Sequence, residues 1–136
     1  DGAFGSSGGV PLDAAEADGY DRFFAVLTQP RGYFKDGISR PRLTKAFLRR
    51  WPGLADAMVT RHERYNATME RLYELEAQGK AVLVFPEDST RLVSSTERDI
   101  RVLRSSMYTG VAQALRQWPE WAGFLGADAP VHSLQR

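Results

Sequence analysis

Residues 79–86 read GKAVLVFP, in which an unbroken apolar run, residues 81–85, follows Gly79-Lys80 and stops at Pro86. A second run, RFFAVLT at residues 22–28, stops shortly before Pro30. Short apolar runs bounded by Gly and Pro are typical of strands covered on both faces, as in a parallel sheet. Helical periodicity fills the chain between the two runs, so we expect a parallel pair joined by a crossover. The sequence therefore predicts an α/β fold with at least two buried strands and several helices.

Three helices are predicted before the apolar run at residues 81–85. Residues 11–19 place a proline at the first helical position and a glycine directly after the last, which is the usual order of these two residues around a helix. A second helix is expected over about residues 42–51. The third, over about residues 53–78, has one apolar face at helical spacing, formed by Leu54, Met58, Tyr65, Met69 and Leu72.

The fourth predicted helix follows a loop over residues 86–95. Thr96 and Asp99 have the spacing of a capping box, and Pro119 is expected to end the helix. An apolar stripe predicts the buried face, and its members are Ile100, Leu103, Met107, Val111, Leu115 and Trp118. Gly110 lies within this helix and predicts a bend or a break.

Composition excludes several classes of function. The 136 residues carry a net charge of +1, which gives no support for nucleic acid as the main partner. The chain has no cysteine, which excludes thiol catalysis and thiolate metal sites. Its two histidines, His62 and His132, are far apart in sequence, so we expect no metal site. The sequence shows no signal peptide and no apolar run long enough to span a membrane, which favours a cytoplasmic protein.

A candidate nucleophile lies near the start of the chain. Residues 5–9, GSSGG, match the G-x-S-x-G pattern of a nucleophile elbow, with Ser7 as the nucleophile. An elbow requires a strand before the serine, and residues 1–4 are too short to supply one. A triad would also require a histidine, and His62 lies on the predicted long helix among charged residues. We therefore favour a flexible glycine- and serine-rich loop, with a small serine hydrolase as a lower-ranked hypothesis.

Several segments in order resemble one known family. Asp1-Gly2-Ala3, followed by Val10-Pro11-Leu12 and a short helix, resembles the catalytic-aspartate region of patatin-like phospholipases. Residues 19–33 are similar to the segment that follows this aspartate in bacterial members. Residues 61–66 and 75–86 are similar to the C-terminal extension of that bacterial branch. The resemblance covers residues 1–125.

The resemblance implies a Ser–Asp dyad on an α/β fold. Asp1 is then the general base, Gly2 allows the tight turn beside it, and the nucleophilic serine comes from an upstream part of the same protein. The chain is then the C-terminal segment of a patatin-like fold. Residues 1–37 end the catalytic domain, and residues 38–136 form a helical extension with one strand. No cofactor is implied.

The expected activity of the parent protein is hydrolysis of acyl lipids or other carboxylic esters. A basic cluster, Arg49, Arg50, Arg61 and Arg64, favours a solvent-exposed face with ion pairs, and its functional alternative is a peripheral contact with anionic phospholipid headgroups. The main alternative function is a non-catalytic helical module, residues 38–136, that binds a partner. The third hypothesis is the small serine hydrolase that uses Ser7 and His62.

Overall fold

The computed structural model of the chain describes residues 5–87, 92–94 and 96–126. These residues contain four helices and two strands, in the order α1 (Leu12–Ala17), β1 (Phe23–Val26), α2 (Pro41–Phe47), α3 (Pro52–Ala77), β2 (Ala81–Val84) and α4 (Ile100–Leu125). The mixed α/β content confirms the predicted class, and every predicted helix and strand is present.

The two strands form one parallel sheet. The N–H of Phe23 donates to the carbonyl of Lys80 at 2.9 Å, and the N–H of Leu27 donates to that of Val84 at 2.8 Å. Four residues after Phe23 the acceptor is four residues further along the chain as well, so the two strands run in the same direction. β2 is largely buried, but Val26 at the end of β1 is 69 % exposed. The expectation of two fully covered strands is therefore wrong for β1, because no layer of described residues covers the solvent side of its end.

The described residues divide into two compact units, one within residues 5–23 and 32–81 and the other within residues 24–31 and 82–126. The boundary predicted between residues 37 and 38 refers to the domains of the parent family, and it remains a prediction.

Helix α3 carries the core of the first unit. Met69 and Leu72 are almost completely buried, as are Tyr65 and Leu75, so the C-terminal part of the predicted apolar face is confirmed. Leu54, at the start of that face, is 42 % exposed. Burying a side chain of this size contributes roughly 1.5–3 kcal/mol, so the second half of α3 holds most of this unit's hydrophobic stabilisation.

Glycine ends two helices with the same hydrogen-bond pattern. After α3, the N–H of Gly79 donates to Glu76 and the N–H of Lys80 donates to Leu75, both at 2.9 Å. After α1, Gly19 and the residue that follows it repeat this arrangement. The φ angles of Gly19 and Gly79 are +89° and +69°, in the left-handed region that glycine tolerates best. Both predicted helix ends are confirmed, and the turn at Gly79 leads directly into β2.

Helix α4 differs from its prediction in which face is buried. Its buried residues are Gln113 and Trp121. The predicted apolar stripe is largely exposed, with Ile100 at 56 %, Met107 at 55 % and Val111 at 50 %. Periodicity identified the stripe but not its surroundings, because the described part of this unit packs on the opposite, more polar side of the helix.

The ends of α4 also differ from expectation. Asp99, not Thr96, is the N-cap, and its carboxylate accepts from the N–H of Arg101 at 2.9 Å. Pro119 lies inside the helix, which continues to the left-handed cap at Gly126. A proline costs an internal helix about one hydrogen bond and some steric strain, and the burial of Trp121 beyond it opposes that cost. Gly110 does not interrupt the helix.

No helix of the described residues is both long enough and apolar enough to cross a bilayer.

Candidate functional site

Asp1 and Gly2, the predicted base and its turn residue, lie outside the described residues, as does His132. The roles assigned to Asp1 and Gly2 therefore remain predictions. The described residues include Ser7 and His62.

The loop that carries Ser7 is packed against α3. Ser7 is only 8 % exposed, and its hydroxyl donates to Asp13 Oδ1 at 2.7 Å. The backbone carbonyl of Ser7 accepts from Thr68 Oγ1 on α3 at 3.1 Å. Ser6 Oγ also donates to the carboxylate of Asp13. Residues 5–9 are therefore a fixed turn and not the flexible spacer that the composition favoured.

Gly8 explains why this turn needs glycine. Its φ is +67°, and a Cβ built on it would lie 2.5 Å from the backbone nitrogen of Tyr65 and 3.0 Å from the carbonyl oxygen of Arg61. Both atoms belong to the α3 backbone, which cannot move aside as a flexible side chain would. The glycine-rich composition therefore serves close packing of one loop against one helix.

The Ser7–Asp13 pair is poorly suited to nucleophilic catalysis. The hydrogen bond from Ser6, and after it in size the one from Ser7, lowers the pKa of Asp13 below its ordinary value of 3.8. Both hydrogen bonds stabilise the ionised carboxylate. A carboxylate with a lowered pKa is a weak base for a hydroxyl proton. The geometry identifies Asp13 as an anchor for the turn.

His62 is not paired with Ser7. The single hydroxyl proton of Ser7 is donated to Asp13, and Nε2 of His62 lies 3.9 Å from Glu63 Oε1. Gly37 lies against the imidazole, since a Cβ there would be 3.0 Å from Nε2. This arrangement does not support a Ser7–His62 hydrolase.

A second loop is held along a neighbouring face of α3. This loop spans residues 32–37, and the backbone N–H of Gly32 donates to the hydroxyl of Tyr73 at 3.0 Å. The Asn66 amide forms two hydrogen bonds with Lys35, accepting from its N–H at 2.8 Å and donating to its carbonyl at 3.0 Å. The Lys35 ammonium lies 3.9 Å from the ring centroid of Tyr65. Partial burial, with a smaller contribution from Arg61, lowers the pKa of Lys35.

A candidate ligand site lies within the second unit, beyond the carboxyl ends of both strands. It is a groove of about 920 Å³, within the range of ligand pockets. The carboxyl edge of a parallel sheet is where α/β folds bind ligands most often. Most of its wall is apolar, and its lining includes Leu27, Phe85, Gly110, Gln113, Ala114 and Trp121.

Helix α4 forms one wall of this groove with small and polar residues. The Gln113 amide donates to the carbonyl of Phe85 at 2.7 Å and to Gln117 at 3.0 Å, which fixes the helix beside the end of β2. Trp121 packs edge-on against Phe24 of β1, with ring centroids 5.4 Å apart. At Gly110 no atom lies within 4 Å of a built Cβ, so the groove is open at that point.

The sequence analysis missed this wall because it followed the apolar stripe. The signal that could have revealed it is the opposite side of the same helix, where Ser106, Gly110, Gln113 and Ala114 form a strip of small and amide residues. No group of three or more His, Cys, Asp or Glu suited to a metal ion occurs in the part of the chain that the structure describes.

The fold and the groove together define a mixed α/β protein with a ligand-sized groove at the carboxyl edge of a parallel strand pair. The protein-family model described as Domain of unknown function (DUF6363) matches residues 51–126, more than half of the chain. The chain therefore belongs to the DUF6363 family. The match runs from the N-cap of α3, Trp51, to the C-cap of α4, Gly126. No curated protein and no solved structure matches the chain.

Replacing Gly8 with alanine tests the contact with α3. We expect Gly8→Ala to lower the free energy of unfolding by roughly 2–4 kcal/mol, because it combines a left-handed φ with a backbone clash. Gly19→Ala is the matched control, since Gly19 has a similar φ and no atom within 4 Å of a built Cβ. It should cost only about 1–2 kcal/mol. Equal losses in urea unfolding would contradict the clash.

The pKa of Asp13 predicts a pH dependence of stability. Because the folded-state pKa lies below 3.8, the ionised carboxylate stabilises the fold fully above that pH. This contribution is lost as the pH falls through the lowered value. Asp13→Asn should therefore be less stable than the wild type at about pH 6, with the difference shrinking toward about pH 3. Urea midpoints across this range measure it, and a constant difference would contradict the role of the carboxylate.

Proposed function

We propose that this chain is the C-terminal segment of a patatin-like lipid acyl hydrolase. Residues 1–37 end its catalytic domain, Asp1 is its general base, and an upstream part of the protein supplies the serine. The ordered series of matches from Asp1 to residue 125 motivates the proposal. The observation that supports it best is the largely apolar groove of about 920 Å³ beyond the carboxyl ends of both strands, since such a groove suits an acyl chain.

The proposed chemistry needs no cofactor. The upstream serine oxygen bonds to the acyl carbon while its proton passes to Asp1, and backbone N–H groups of an upstream loop hold the carbonyl oxygen as it becomes negative. Collapse of this intermediate expels the alcohol, which takes the proton from Asp1. Water then attacks the acyl–serine ester and passes a proton to Asp1. Collapse of this second intermediate releases the carboxylic acid, and the serine oxygen takes the proton back from Asp1. An aspartate can serve as this base only if partial desolvation brings its pKa toward the working pH.

A second candidate function is a helical module of residues 38–136 that binds a partner. The exposed apolar stripe of α4 favours it, since Ile100, Met107 and Val111 are each at least half exposed. The upstream gene sequence distinguishes the two. A strand–G-x-S-x-G–helix pattern there supports the hydrolase, and its absence supports the binding module.

Asp1→Asn tests the catalytic proposal in the longer protein that carries this chain. We expect hydrolysis of a p-nitrophenyl ester to fall by at least about 10²-fold with little change in KM, because the base is lost and the binding surface is kept. Asp18→Asn, at the exposed C-cap of α1, is the matched control and should retain activity. Full activity in Asp1→Asn would overturn the proposed role.

The 136-residue chain alone provides a complementary measurement. We expect no ester hydrolysis and no labelling by a serine-directed phosphonate, because Ser7 is buried and its hydroxyl donates a hydrogen bond to Asp13. Labelling at Ser7 would instead favour the small serine hydrolase.

Gly110→Leu tests whether the groove takes an acyl chain. A leucine side chain there projects into open space in the groove, so it should weaken binding of an environment-sensitive fluorescent fatty acid by about tenfold. Gly123→Leu is the matched control, because Gly123 lies on the same helix, also has open space around its Cβ, and does not line the groove. Equal binding by both variants would show that the groove is not the acyl site.

A further inference from the structure

Four large apolar side chains that are close in sequence, on α2 and shortly after it, are exposed to solvent. Phe47 is 86 % exposed, Leu43 60 %, Trp51 59 % and Leu54 42 %. Leu43 and Phe47 are one helical turn apart and therefore share a face of α2. That helix buries no residue, so the described residues of its unit leave these two large apolar side chains mostly uncovered.

The same segment is strongly basic. Arg40, Arg42, Lys45, Arg49 and Arg50 lie between residues 37 and 55, and this stretch contains no acidic residue. Lys45 is paired with Asp56 at 2.7 Å. The four arginines have no ion pair with a carboxylate among the described residues. Five basic residues within one short segment are a marked local concentration in a chain whose net charge is +1.

We propose that this surface, which we call the α2 patch (residues 40–54), docks the protein on a lipid surface that contains anionic headgroups. Exposed aromatic and aliphatic side chains beside arginines are the features of interfacial segments, which bury apolar groups at the headgroup level while basic residues meet lipid phosphates. This inference deepens the proposed function and rests on it for its purpose, because a lipid acyl hydrolase must reach its substrate in a lipid surface.

Charge favours this occupant over the other candidates. A second copy would bring the same five basic residues against themselves, which is repulsive. Nucleic acid would pair with the arginines but offers Leu43 and Phe47 no apolar layer. The exposed stripe of α4 is less basic than the α2 patch. Of the three arginines on this helix, Arg101 is paired with Asp99 and Arg116 with Glu87, while Arg104 has no ion pair with a described carboxylate. The stripe therefore serves as an internal control for exposed apolar surface with fewer unpaired arginines beside it.

Sedimentation with vesicles tests the proposal on the 136-residue chain. We expect binding to vesicles of phosphatidylcholine with phosphatidylglycerol, and much weaker binding to phosphatidylcholine alone or at high salt. Leu43→Gln/Phe47→Gln should weaken binding by about tenfold or more, and circular dichroism should be unchanged because both side chains are exposed. The matched control Met107→Gln/Val111→Gln, on α4, should bind like the wild type.

A charge variant completes the design. Arg49→Gln/Arg50→Gln should weaken binding to anionic vesicles and reduce its salt dependence. The proposal is overturned if the wild type does not bind anionic vesicles, or if the α4 variant loses as much binding as Leu43→Gln/Phe47→Gln. It is also overturned if vesicles do not bind while heparin binds the wild type and Leu43→Gln/Phe47→Gln equally well, since that result would indicate a polyanion site. Vesicle binding requires no catalysis. If the longer wild-type protein hydrolyses no ester, the proposed enzyme is refuted and the vesicle result still stands.

Discussion

The contact between Gly8 and the backbone of α3 is the constraint on which the first unit depends. It places the turn of residues 5–9 close enough to the helix for Thr68 to hydrogen-bond to the carbonyl of Ser7. One turn further along this face of α3, the guanidinium of Arg71 forms an ion pair with the carboxylate of Glu16 on α1, with N and O 3.1 Å apart. On the neighbouring face, Tyr73 and Asn66 hold the loop of residues 32–37. Between the two faces lie the buried side chains of α3, so one long helix organises both segments.

This organisation gives the serine-rich turn a structural explanation. The hydroxyls of Ser6 and Ser7 converge on the carboxylate of Asp13 at the start of α1, and that convergence lowers the pKa of the carboxylate. A nucleophilic serine needs an exposed hydroxyl and a base able to accept its proton near the working pH. The observed turn has neither property. The proposed chemistry therefore depends on Asp1 and on an upstream serine, while the described residues contribute a groove and a surface.

The groove and the α2 patch correspond to two different requirements of lipid chemistry. A groove at the carboxyl edge of the strands suits the hydrocarbon part of a ligand, because its wall is largely apolar and open at Gly110. The α2 patch combines apolar side chains with arginines that have no carboxylate partner among the described residues, which suits the surface of a membrane. Each has its own variant and its own control, so either proposal can fail alone.

Local sequence determined the helices, the strands and several of their ends. Gly19 and Gly79 end α1 and α3 because glycine readily adopts a positive φ, and the apolar runs before Pro30 and Pro86 formed the strands. Periodicity located the buried half of α3. Only the tertiary structure decided that Ser7 is buried, that Gln113 and not the apolar stripe of α4 faces inward, and that Pro119 remains inside a helix. Those outcomes depend on which surfaces meet, and a spacing pattern shows that a face is apolar without showing what lies against it.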